Sequence, residues 1–216
     1  MAAEDYTSWS PGEDDTAGDF VVAASSITVT SNVRPEDNDV IDDKGSGHFS
    51  GDFTHTVPVT FVSRSSDAAI NTLWALQNTT SGTPFTQEGA SQDCISTRFQ
   101  TTTATVYDIR LRNAQDTAQD ESINLYSYGP DFWLEIERDE AASTYGDVDV
   151  RIYDDEYITL RDTISISLDA KIDYQYIRMA GGWHTSGGMW MDYTIGELDL
   201  QEAAPSGNPW YYYAQQ

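Results

Sequence analysis

Glu135-Ile136-Glu137-Arg138-Asp139-Glu140 is the densest set of ionisable groups in the chain that could act together. Alternate side chains of an extended strand share a face, so Glu135, Glu137 and Asp139 would project side by side. Two carboxylates about 5–5.5 Å apart can cleave a glycosidic bond, one as nucleophile and the other as acid. Glu197 and Asp199 repeat the spacing near the end of the chain. The competing explanation is a solvated strand face, because 36 of the 216 residues are acidic and such groupings then arise from composition alone. Composition outweighs the motif, and the chain is expected not to be an enzyme. The alternative is a glycan hydrolase or lyase acting through Glu135 with Glu137 or Asp139.

Gly181-Gly182-Trp183-His184-Thr185-Ser186-Gly187-Gly188-Met189-Trp190 is the segment best suited to hold a ligand. Flat indole faces stack on sugar rings, and glycines let a loop approach a ligand closely. Trp183, His184, Trp190 and Tyr193 are the expected glycan contacts. The bland alternative is a long hairpin whose tryptophans pack on the protein itself. Calcium takes six to eight oxygens, and Asp37, Asp39, Asp42 and Asp43 ahead of Gly45-Ser46-Gly47 are the candidate ligands. Asp154-Asp155-Glu156 is a second acidic loop, and neither matches the helix–loop–helix calcium pattern. His48, His55, His184 and the single Cys94 lack zinc spacing, and Cys94 reads as a small buried residue. Structural calcium is the one cofactor that these residues leave open.

The charge constrains everything else. Eleven basic residues face those 36 acids, for a net charge of -25, and Lys44 and Lys171 are the only lysines. Such a chain repels itself in dilute buffer, whereas at roughly 1 M salt the Debye length falls to about 3 Å and screens the repulsion. No basic patch exists to neutralise phosphates, so nucleic acid is excluded as a partner. The beginning of the chain has neither a basic stretch nor an apolar run, so no signal peptide is expected and synthesis in a host cytoplasm is. No segment is long and apolar enough for membrane insertion. Trp210-Tyr211-Tyr212-Tyr213 sits at an otherwise polar terminus. Such aromatics are enriched at protein interfaces, so these four are expected to dock on a partner subunit.

What must position these groups is a set of strands. Period-two alternation dominates over helical periodicity in segments 26–31, 54–63, 70–78, 95–101, 105–113, 123–128, 131–138, 146–153, 163–168, 174–179 and 193–201. In 132–137, Phe132, Leu134 and Ile136 oppose Trp133, Glu135 and Glu137. Gly, Asp, Asn and Ser clusters separate the strands, which points to an antiparallel sandwich or barrel. Pro58, within an otherwise good strand, implies an edge position or a bulge. Residues 1–25 read as an irregular arm, 26–202 as one sandwich domain and 203–216 as an aromatic tail, with 33–47 an acidic loop.

The phrases Phe132-Trp-Leu-Glu-Ile-Glu-Arg-Asp139, Val148-Asp-Val-Arg-Ile-Tyr-Asp-Asp155 and Thr194-Ile-Gly-Glu-Leu-Asp-Leu-Gln-Glu202 carry a resemblance. With Gly47-His-Phe-Ser-Gly-Asp-Phe53 and Leu73-Trp-Ala-Leu-Gln-Asn78 upstream, residues 26–202 resemble the concanavalin A-like (LamG-like) jelly-roll domains of tailed-phage and archaeal-virus virion proteins. The acid excess and lysine loss resemble proteins of halophilic archaea and their viruses. The resemblance implies an all-β antiparallel sandwich serving as a virion structural or accessory protein at a capsid surface, turret or tail appendage. It also implies other virion proteins as partners, a homo-oligomer and contact with host-surface glycans. A secreted carbohydrate-binding module is the remaining alternative.

Overall fold

Alternation along the chain becomes two faces in space. The computed structural model describes residues 3–13, 20–30, 39–64, 69–80, 94–101, 106–115, 118–127, 130–184 and 190–202. Fifteen strands lie among them: β1 Ser10–Glu13, β2 Phe20–Ala23, β3 Ser26–Val29, β4 Asp39–Asp43, β5 Phe53–Arg64, β6 Ala69–Gln77, β7 Cys94–Thr101, β8 Val106–Gln115, β9 Ala118–Ser127, β10 Asp131–Asp139, β11 Asp147–Tyr153, β12 Leu160–Ser167, β13 Tyr176–His184, β14 Met191–Ile195 and β15 Asp199–Glu202. One antiparallel sheet runs β1-β4-β13-β6-β7-β8-β9. The second runs β12-β11-β10-β5-β14-β3-β2, with β15 also paired to β5. The architecture is the expected all-β antiparallel sandwich.

The core lies between the sheets because each contributes its apolar face. On β10, Phe132, Leu134 and Ile136 are buried while Trp133, Glu135 and Glu137 are half-buried on the outside. Val148, Val150 and Ile152 repeat the pattern on β11. Aromatic rings knit the layers: Phe99 of one sheet meets Phe61 and Phe132 of the other at 5.3 and 5.9 Å. Such pairs contribute roughly 0.5–1.5 kcal/mol beyond the area they bury. At the other end Phe53 stacks on His55 at 4.3 Å, and the Trp74 indole N–H donates to His55 Nδ1 at 3.1 Å. Cys94 is buried, as its type foretells.

Three features depart from the sequence reading. Segment 1–25 is not an irregular arm: Asp5 caps a 3-10 turn at Tyr6–Ser8, and β1 and β2 join opposite sheets. Tyr6 is fully buried and its hydroxyl donates to the Gly196 carbonyl at 2.9 Å. The acidic stretch 33–47 contains β4, which pairs with both β1 and β13. Its Val40 and Ile41 are both buried, so no alternation advertises the strand.

Segment 193–201 is two strands, β14 and β15, which successively flank one long partner, β5. That break also explains Pro58, which occupies a central strand and not an edge. The Gly196 N–H donates to the Pro58 carbonyl at 2.8 Å, so the side of Pro58 that lacks an N–H faces residues 196–198, between the strands. No ladder bond is missing there.

Candidate ligand-binding face

The outer face of the second sheet gathers side chains that the sequence keeps far apart. Register sets three rows across it: Pro58–Trp133–Tyr153, then Asp199–Thr56–Glu135–Arg151, then Gln201–Thr54–Glu137–Asp149. Trp133 and Tyr153 are direct cross-strand neighbours, both half-buried, and give the face an aromatic row. Beside them, the Arg151 guanidinium reaches Glu135 at 2.6 Å and Glu137 at 2.5 Å. The Tyr153 hydroxyl donates to the same Glu135 oxygen at 3.3 Å. The hydrogen bond that Arg151 donates to Glu135 is the main cause holding its guanidinium above the ordinary range, while burial works against it. At this exposure the pairing adds only about 0–1 kcal/mol to stability. What it does supply is a fixed orientation of three charged groups.

The turn joining β11 to β12 folds over this face. Its base is pinned: the Asp154 N–H donates to the Thr159 carbonyl at 3.1 Å, and Asp155 accepts from the Thr159 N–H at 2.6 Å and its hydroxyl at 3.0 Å. At its tip Tyr157 has φ +63°, a left-handed conformation uncommon for a bulky residue. The Tyr157 ring meets Tyr153 edge-on at 5.7 Å. Its hydroxyl comes up to the Thr56 side chain yet makes no well-directed hydrogen bond. Burial pushes that hydroxyl up to about 12; Thr56 pulls the other way, and Glu135, Asp199 and Glu156 add to the rise. In the same row Asp199 Oδ2 accepts from Gln201 at 2.9 Å, while the buried Oδ1 has no partner. Ile158 and Leu160, 80% and 50% exposed, form an apolar lip beside the turn.

The expected site residues fall in several places. Glu135 and Glu137 share this face, both engaged by Arg151, whereas Asp139 turns to accept the Ala141 N–H at 2.8 Å. Of the second carboxylate pair, Asp199 joins the face and Glu197 is exposed in the break before β15.

Trp183 and His184 end β13 opposite Ile70 and Ala69. Trp190 is half-buried just ahead of β14, in the other sheet, so β13 and β14 are not a hairpin. Tyr193 is fully buried in the core between the sheets and is not presented to a ligand beside Trp190.

The described members of the proposed calcium set are each engaged with different partners. Asp39 is buried against Arg178 at 2.6 Å, Asp42 meets Lys44 at 2.7 Å, and Asp43 accepts from Gly45 N–H and Gln175 at 2.9 and 2.7 Å. In the second acidic loop Asp155 caps Thr159 and Asp154 meets Arg161 at 2.9 Å. Among the described residues no three His, Cys, Asp or Glu side chains are grouped so as to hold a metal. Asp37 and the docking aromatics Trp210, Tyr211, Tyr212 and Tyr213 lie outside the described residues.

Sequence reasoning missed Trp133, Arg151, Tyr153, Tyr157 and Thr56 as members of one face. Alternation alone places Trp133 beside Glu135. The cross-strand register that adds the others is not written in local pattern.

The fold is a concanavalin A-like, legume-lectin-like antiparallel β-sandwich. No protein-family model and no curated protein matches the chain. Solved structures do match it. A legume lectin-like domain from Entamoeba histolytica superposes with a TM-score of 0.58 and 12% identity, over 88% of this chain and 90% of that one. The exoplasmic/lumenal domain of VIP36, in a form bound to Ca2+ and Man2, gives 0.57 and 11% over 98% and 90%. The CBM2 module of the evolved Dit of Lactobacillus casei BL23 phage J-1 gives 0.55 and 9% over 94% and 89%. At these identities the likeness establishes the fold. Among the described residues no helix is long and apolar enough to cross a membrane.

Proposed function

We propose that the protein is a non-catalytic glycan-binding sandwich, carried as a multimer on a virus particle from a salt-rich setting and used to contact host-surface sugars. The observation that carries the glycan reading is the rigid outer face, where Trp133 and Tyr153 stand in register beside the Glu135–Arg151–Glu137 group. Flat aromatic rings beside fixed hydrogen-bonding groups suit the apolar faces and hydroxyls of a sugar. Catalysis fits less well, because the carboxylates that would act as nucleophile and acid are both tied to one guanidinium.

The virion setting draws on the fold shared with the phage J-1 module, and the salt-rich setting on the charge of -25. On a glycan array, Trp133→Ala and Tyr153→Ala should each lower retention at least tenfold with the fold intact. Trp183→Ala and Trp190→Ala test the loop between β13 and β14 in the same way. Array binding unchanged in all four variants would sink the glycan reading. For the virion role the check is mass spectrometry of purified particles, where absence of the chain would exclude it.

A further inference from the structure

Tyr157 is the feature of the face that a passive platform does not require. It combines a left-handed backbone with a buried hydroxyl that has no hydrogen bond, and it lies over the row Asp199–Thr56–Glu135. A left-handed backbone is strained at a bulky residue, and such strain concentrates at ligand clamps and switch segments. A buried hydroxyl without a well-directed hydrogen bond adds to that cost. The backbone of the turn is held, by the Ile158 N–H on the Asp155 carbonyl at 2.9 Å and by Asp154, Asp155 and Thr159 at its base, so the Tyr157 side chain is the part left poorly satisfied.

We propose that Tyr157 is a displaceable cover over a sugar subsite. When the Tyr157 ring swings out, Thr56, Asp199 Oδ1 and Glu135 take two neighbouring hydroxyls of a neutral sugar. The inference rests on the glycan reading above and specifies its ligand. Asp199 Oδ1 can only accept, so the ligand must bring donors. Glu135, Asp199 and Glu156 all bear on the Tyr157 hydroxyl and Arg151 pairs with the first of them, so a uronate or sulfate would meet a net like charge there.

The experiment is calorimetric titration of the full chain with mannan, β-glucan and galactan, and with alginate and dextran sulfate. About 1 M KCl shortens the Debye length to about 3 Å, so the net charge of the molecule does not mimic exclusion by the site. A neutral polymer should bind and the anionic ones should not. Tyr157→Gly removes both cover and strain and should tighten binding at least fivefold, because the open form no longer has to be selected. Tyr157→Asn, which tolerates the same backbone, should act in the same direction. Asp199→Asn should weaken binding at least tenfold.

The proposal is overturned if alginate or dextran sulfate binds as well as the neutral polymers. It is also overturned if both Tyr157 variants leave affinity unchanged or weaker, or if Asp199→Asn binds like the wild type. In each of these cases, loss of binding in Trp133→Ala would leave the glycan reading standing. No binding of any polymer by wild type or Tyr157→Gly would remove both.

Discussion

At the scale of single residues the molecule separates groups that serve the interior from groups that serve the surface. His55 belongs to the first kind. Its Nδ1 accepts from Trp74, so the imidazole proton sits on Nε2, which has no partner in an otherwise aromatic enclosure. Burial is the main cause that lowers its pKa to about 3, with His48 and Lys44 contributing. The unfolded chain takes up this proton near the ordinary value of about 6.5, while the folded chain resists until about 3. Stability from this site is therefore complete above about 6.5 and declines as pH falls towards 3, by nearly tenfold in the unfolding constant per pH unit. His55→Asn keeps an acceptor for Trp74 and cannot titrate. Its urea unfolding free energy between pH 6 and 4 should therefore fall less steeply than that of the wild type, and equal slopes would show that His55 is solvated. Asp39 makes a second case. It is paired with Arg178 with both side chains fully buried. Asp39→Asn leaves a guanidinium without its counter-charge and should cost about 3–5 kcal/mol. A loss below about 1 kcal/mol in urea unfolding would mean that water reaches the pair.

At the scale of elements the decisive devices are turns and breaks. Gly146 closes β10 onto β11 with φ +93°, and a Cβ there would lie 2.9 Å from the Asp139 carbonyl oxygen. Gly146→Ala should lower stability by at least roughly 1–3 kcal/mol from backbone strain alone, read as a drop in thermal midpoint. An unchanged midpoint would show that the turn can rearrange. The long alternating strands were legible because period two survives wherever one face is wet, as along β10 and β11. β4 was not, since Val40 and Ile41 are both buried and polar punctuation surrounds them. The split of 193–201 was hidden because Gly196 reads as an ordinary strand residue. Its function appears only against Pro58, whose ring would lie 3.1 Å from an added Cβ. The same limit applied to the site. The composition of each strand put Glu135 and Glu137 on one face, but the partners Arg151, Thr56 and Asp199 come from register, which pattern does not encode. Tyr157 was invisible for a different reason: nothing in Asp154-Asp155-Glu156-Tyr157 announces a left-handed tyrosine.

At the scale of the whole molecule the charge is distributed more unevenly than its sum conveys. Arg98, Arg138 and Arg178 are buried, so three of the nine arginines are withdrawn from the solvated surface. On β10 and β11 the outward positions carry Glu135, Glu137, Asp147 and Asp149 with Arg151 as the basic member. Between 0.1 and 1 M KCl the Debye length shrinks from about 10 to about 3 Å, so the thermal midpoint should climb steeply there and flatten beyond. A rise that continues undiminished to 2 M would point instead to exclusion of salt from the surface. Asp162→Lys and Glu197→Lys replace exposed acids. If self-repulsion is the cause, the double variant should melt higher than the wild type at 0.1 M and the same at 2 M. An equal shift at both salt concentrations would assign the gain to local contacts, and no dependence on KCl would remove the salt-rich setting from the proposed function while leaving its glycan-binding face untouched.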